Sequence, residues 1–143
     1  MRAVLDPNVL ISAVLSSRGA PADVLRAAAR GEFEVVLSAA LLAELERALA
    51  YPKLRARVAP DDAADYLAWV AALGVVADDP DQPPPVRSPD PGDDCLIALA
   101  AAERCGLVSG GSDMLGLAGR IPVFTAREWL ELLRAPRQPP SRA

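Results

Sequence analysis

A chain of 143 residues is close to the commonest size for one domain, and no apolar run in it approaches the roughly 20 residues that span a bilayer. Histidine is absent, which removes Ser-His-Asp and Cys-His nucleophilic schemes and every His-ligated metal. The net charge of −4 weighs against a general nucleic-acid binder, although acids gathered round a metal add to that balance without repelling a metal-bridged phosphate.

Hydrophobic residues make up 52% of the chain and aromatics only 4%, so the core is expected to be Leu, Val, Ile and Ala. The first apolar stretch, 3–5, reads as a strand ended at once by Asp6, which does not resemble a signal peptide. A soluble, cytoplasmic protein with no membrane contact is expected. Asn8 opens a helical turn over 8–14. Pro21 then leads a helix over 22–30 that Gly31 closes. A short strand is predicted at 34–37. Ser38 caps a helix running to about 50 and stopped by Pro52. Asp61 and Asp62 favour the first turn of a helix over 60–73, and a strand follows at 75–77.

Six prolines between 80 and 91 make an extended loop. It delivers the chain into an Ala/Leu-rich helix over 93–105, which would place Cys95 and Cys105 roughly 15 Å apart, too far for a disulfide. A strand at 107–109, a helical turn at 114–118 and a strand at 121–124 come next. Thr125 and Glu128 have capping-box spacing and open the helix 126–133. The organisation expected is one domain over 1–134 and a disordered Pro/Arg tail over 135–143. Strands alternating with helices imply a three-layer α/β/α fold round a mostly parallel sheet, with ligands at the carboxyl ends of the strands.

Acids fall at those ends. Asp6 follows the first strand, Asp90, Asp93 and Asp94 open a helix, and Asp113 follows the strand 107–109. Asp is also a common helix cap and turn former, so position alone does not make a site. If these acids converge, a hard cation such as Mg²⁺ or Mn²⁺ is the natural neutraliser. On the helix after Ser38, Glu44 and Glu46 flank the apolar arc from opposite sides, and periodicity does not choose between them. A strand-end Asp also occurs in carboxylate phosphatases and phospho-acceptor domains. The former want a second acid where Asn8 stands, and the latter want a late lysine, whereas the single lysine is Lys53.

Four segments carry a resemblance to PIN domains. L-D-P-N-V-L-I-S-A at 5–13 resembles the opening motif, and L-S-A-A-L-L-A-E-L-E-R-A-L at 37–49 the second, whose acid aligns with Glu44. D-P-G-D-D-C-L-I-A-L-A-A at 90–101 is similar to the third, with its acid on Asp93, and L-V-S-G-G-S-D-M-L at 107–115 to the fourth. Pro7 stands where the family usually has Thr, and Gly111 where it has the first acid of its fourth motif, leaving Asp113. The resemblance implies a ribonuclease with Mg²⁺ or Mn²⁺ held by Asp6, Glu44, Asp93 and Asp113. Asn8, Ser109 and Asp94 would support them. It further implies a toxin that dimerises and is silenced by a cognate antitoxin. The alternative is a catalytically silent PIN fold that binds RNA or protein.

Overall fold

The computed structural model describes residues 1–135. Five strands, β1 (Arg2–Leu5), β2 (Glu34–Ser38), β3 (Val75–Ala77), β4 (Gly106–Val108) and β5 (Val123–Phe124), form one sheet in the order β3-β2-β1-β4-β5. Every neighbouring pair is parallel, with Val4 registered against Val36 on one side and Leu107 on the other. Apolar residues run continuously along β1, β2 and β4 because helices cover both faces, the usual condition of a parallel sheet.

The helices are α1 (Pro7–Leu15), α2 (Ala20–Ala29), α3 (Ala39–Leu49), α4 (Pro52–Arg55), α5 (Pro60–Leu73), α6 (Asp94–Ala102), α7 (Ser112–Leu115) and α8 (Ala126–Arg134). Connections from β1 through β3 step one way across the sheet, and the β3–β4 connection steps back past β1. Right-handed crossovers therefore put α6 on the face opposite α1 to α5, against β1 and β4. The core is aliphatic, with Leu5, Leu10, Leu37, Leu41, Leu45 and Ile97 among its largest fully buried side chains.

Local chemistry sets the element ends. Ser38 Oγ accepts the Leu41 amide at 3.2 Å to start α3, and Thr125 and Glu128 form a complete capping box on α8. Gly74 is the C-cap of α5, and the position requires glycine because a Cβ there would lie 2.4 Å from the Val35 carbonyl oxygen.

Two expectations are corrected. Pro52 does not merely stop α3; it opens the short helix α4, where its missing amide costs nothing. The helix expected over 93–105 begins after a 3₁₀ turn at Pro91–Asp93 and ends at Ala102, so Cys105 lies outside it. The stop is a Schellman motif, with the Arg104 amide on Ala101 O (3.2 Å) and the Cys105 amide on Ala100 O (3.0 Å). Arg104 occupies its left-handed position at φ 52°, where a residue with a Cβ pays roughly 1–2 kcal/mol. Both cysteines are free. The expected tail lies outside the described residues from 136 onward. Among the described residues, no helix is long and apolar enough to cross a membrane.

Candidate active site at the strand ends

Strand order reverses its direction of growth between β1 and β4, and the crevice beyond their carboxyl ends is where open α/β sheets bind ligands. Asp6 leaves β1 at that point. Its backbone amide donates to Val108 O at 2.9 Å, and its Oδ1 accepts the Asn8 amide at 3.0 Å, capping α1. From β4, Ser109 donates its hydroxyl to Asp6 Oδ2 at 2.8 Å. Ser109 in turn accepts the Gly111 amide at 3.1 Å. Asp6 is 5% exposed and Ser109 0%, so the carboxylate is nearly sealed yet doubly hydrogen-bonded. Burial pushes its pKa up, the Asn8 amide and Ser109 hydroxyl pull it back, and the charge of Asp90 raises it again.

The second acid arrives from the loop before α6. Ser88, buried in the proline-rich segment, donates its hydroxyl to Asp93 Oδ2 at 2.9 Å and accepts the Asp90 amide at 3.2 Å. Burial raises the Asp93 pKa, Ser88 opposes it, and the charges of Asp6, Asp90 and Asp113 add to it. These acids therefore share one electrostatic neighbourhood. Like charge from its neighbours makes Asp93 harder to ionise, the condition a cation relieves.

The remaining candidates divide. Glu44 pairs with Arg47 at 3.1 Å, and its charge is felt by Cys95 at the start of α6. Glu46 instead lines a shallow cleft with Leu49, Ala63 and Leu67 between α3 and α5. The two glutamates thus point to different sides of α3, and Glu44 is the one turned toward α6. Asp94 is used locally, accepting Arg87 at 3.0 Å and the Ser88 amide at 3.2 Å, which anchors the loop carrying Asp93. Asp113 is exposed in the first turn of α7. Gly111 has an ordinary extended backbone (φ −78°, ψ 134°), and a Cβ on it would lie 3.4 Å from Asn8 Nδ2 and 3.6 Å from Ser109 Oγ. The position where the family carries an acid thus faces the Asp6 network.

Sequence reading missed Ser88, which looks like linker among prolines, and the anchoring task of Asp94. Among the described residues, no three Cys, Asp or Glu side chains stand close enough to form a ready-made cation cage. The donors at the crevice are all oxygens, which suits Mg²⁺; that ion is held by one or two carboxylates and keeps several waters.

The profile described as the PIN domain matches residues 2–109, most of the chain, and the protein belongs to the PIN-domain family. Its fold is similar to the crystal structure of VapBC2 from Rickettsia felis bound to a DNA fragment from their promoter. The TM-score is 0.62 at 16% identity, over 87% of this chain and 98% of that one. No curated protein matches the sequence.

Proposed function

We propose that this chain is a Mg²⁺- or Mn²⁺-dependent endoribonuclease, the toxin of a toxin–antitoxin pair, acting in the cytoplasm as a homodimer. One observation carries the reading: the Asp6 carboxylate is buried at the switch point of a parallel sheet, within the field of Asp90 and coupled by charge to Asp93, which also feels Asp90 and Asp113. Family membership makes nuclease chemistry the natural use of such acids. The VapBC2 neighbour, crystallised on promoter DNA, supports a cognate antitoxin as partner.

Asp6 and Asp93 would hold the ion, with Asp113 and Glu44 reaching it directly or through water. A hard divalent cation supplies charge neutralisation at the phosphodiester and a more acidic water. The chain's own part is orientation. Asn8 and Ser109 fix both oxygens of Asp6, Ser88 fixes Asp93, and Asp94 fixes the loop that carries Ser88. For Glu44 to join, its contact with Arg47 must break, which costs little at an exposed pair.

Gly111 favours a second reading, a catalytically silent PIN fold that binds RNA or protein. Incubating the protein with single-stranded and structured RNA, in Mn²⁺, Mg²⁺ or EDTA and beside Asp6→Asn, separates the two. The proposal expects metal-dependent cleavage that falls on the order of 100-fold or more in the variant. Folded wild-type protein that cleaves nothing in either metal establishes the silent module instead.

A further inference from the structure

Asp93 and Asp94 stand side by side where the proline-rich loop enters α6, yet the loop holds them differently. Asp94 has both oxygens occupied: Oδ1 accepts the Ser88 amide at 3.2 Å and Oδ2 accepts Arg87 Nη1 at 3.0 Å. Asp93 has one. Its Oδ2 accepts the Ser88 hydroxyl at 2.9 Å, and among the described residues no donor takes its Oδ1.

Ser88 is committed at every polar atom of its amide and side chain. Its hydroxyl has one hydrogen, given to Asp93, while Oγ accepts the Asp90 amide at 3.2 Å. Its amide is pinned by Asp94, and Arg87 holds the far oxygen of that carboxylate. The backbone of Asp93 is fixed as well, because its amide donates to Asp90 O at 3.0 Å in the 3₁₀ turn. Since Ser88 is only 8% exposed, the Asp93 oxygen it binds is turned into the protein. Oδ1 is the oxygen left for a cation.

We infer that Ser88 holds Asp93 to coordination through one oxygen and thereby sets the site's choice of cation, favouring Mg²⁺ and Mn²⁺ over Ca²⁺. Magnesium demands octahedral geometry at about 2.0–2.1 Å and is met by one or two carboxylates and several waters. Calcium takes roughly six to eight oxygens at about 2.3–2.6 Å, and a carboxylate that turns both oxygens outward helps to reach that number. Asp93 cannot do so without breaking its bond to Ser88, so the loop withholds from the larger ion a ligand that the smaller one does not need. Asp6 leans the same way, because its two oxygens already accept the Asn8 amide and the Ser109 hydroxyl. The inference rests on the proposed reading of Asp6 and Asp93 as cation ligands. Ser88 acts through Asp93 and does not touch the ion.

Calorimetric titration of the whole chain, first stripped by chelator, with Mn²⁺ and separately with Ca²⁺ gives the ratio of the two affinities. Wild type should bind Mn²⁺ the more tightly. In Ser88→Ala the Mn²⁺ affinity should fall about tenfold or more while the Ca²⁺ affinity holds or rises, so the ratio falls at least about tenfold. Ser88→Thr keeps the hydroxyl and should restore the ratio. A merely structural role would weaken both cations alike, so two affinities that fall in equal proportion overturn the inference, as does a ratio that does not move. Arg87→Gln cuts the outermost tie on an exposed side chain and carries the test if Ser88→Ala does not fold. Its ratio should shift the same way by roughly two- to fivefold, and no shift overturns the inference. Wild type that binds neither cation removes the proposed metal and this inference together; Mn²⁺ binding with a ratio indifferent to Ser88 removes this inference alone.

Discussion

The two ends of the sheet are built from the same strands and differ in almost every other respect. At the carboxyl ends, Asp6, Ser109 and Ser88 are buried polar groups with named partners, and the cavity beside Asn8 and Ser109 is only about 90 Å³. At the amino ends the cavity is about 670 Å³, walled by aliphatic and aromatic carbon. Size alone would point to the amino end, away from the acids proposed as the site. A parallel sheet makes this asymmetry available: β1, β2 and β5 exit on one side into helix starts, where carboxylates are good caps and where charge can be concentrated. The other side receives helix ends and turns, which are free to be apolar.

The largest expected effect on this contrast comes from Ser109→Ala. It removes a hydrogen bond to a charged acceptor in a fully buried setting and leaves the Gly111 amide without its partner, a loss of about 1.5–3 kcal/mol by denaturant unfolding. An unchanged unfolding midpoint would mean the two strand ends are not tied together through Asp6. Next is Gly111→Asp, whose backbone accepts any residue and whose Cβ faces Asn8 and Ser109. Calorimetric Mn²⁺ affinity should rise about tenfold, roughly 1.4 kcal/mol. No gain would show that the acid missing at 111 is not what limits the site.

The smallest effect is a pH slope. Because burial raises the folded-state pKa of Asp6, the folded protein holds that proton more tightly than the unfolded chain. In chelator, Asp6 therefore lowers stability as pH climbs from the unfolded value near 3.8 through the raised folded one, and the cost is fully present above it. Asp6→Asn lacks this slope, so the melting temperature of the variant relative to wild type should rise by a few degrees between pH 4 and pH 7, whatever the offset set by its amide facing Ser109. A gap that does not change with pH would assign the difference to something other than the Asp6 charge.

Much of the carboxyl end was legible because its signals are local. An apolar run cut by Asp-Pro announces β1, Asp6 and α1 together, and Thr125 with Glu128 announces α8. The amino end was not legible. Its cleft is made by residues far apart in sequence, and α6 stops at Ala102 with arginine where a glycine would have signalled the end. Glu44 and Glu46 are equivalent by periodicity; only the packing of α3 between α5 and α6 distinguishes them. Ser88 had no signal at all, since a serine among prolines becomes a buried donor only once Asp94 has pinned its amide.

The hydroxyl of Ser109 has one hydrogen, and that hydrogen already points at Asp6. With the Gly111 amide behind it, the pair forms a one-way relay of partial positive charge from the backbone of the β4 exit loop to a carboxylate on the neighbouring strand. A protonated Asp6 would have to reverse that relay or leave a donor facing a donor. The wiring of a single serine therefore biases the crevice toward an anion, against the pull of its own burial, and leaves that serine no hydrogen to give elsewhere.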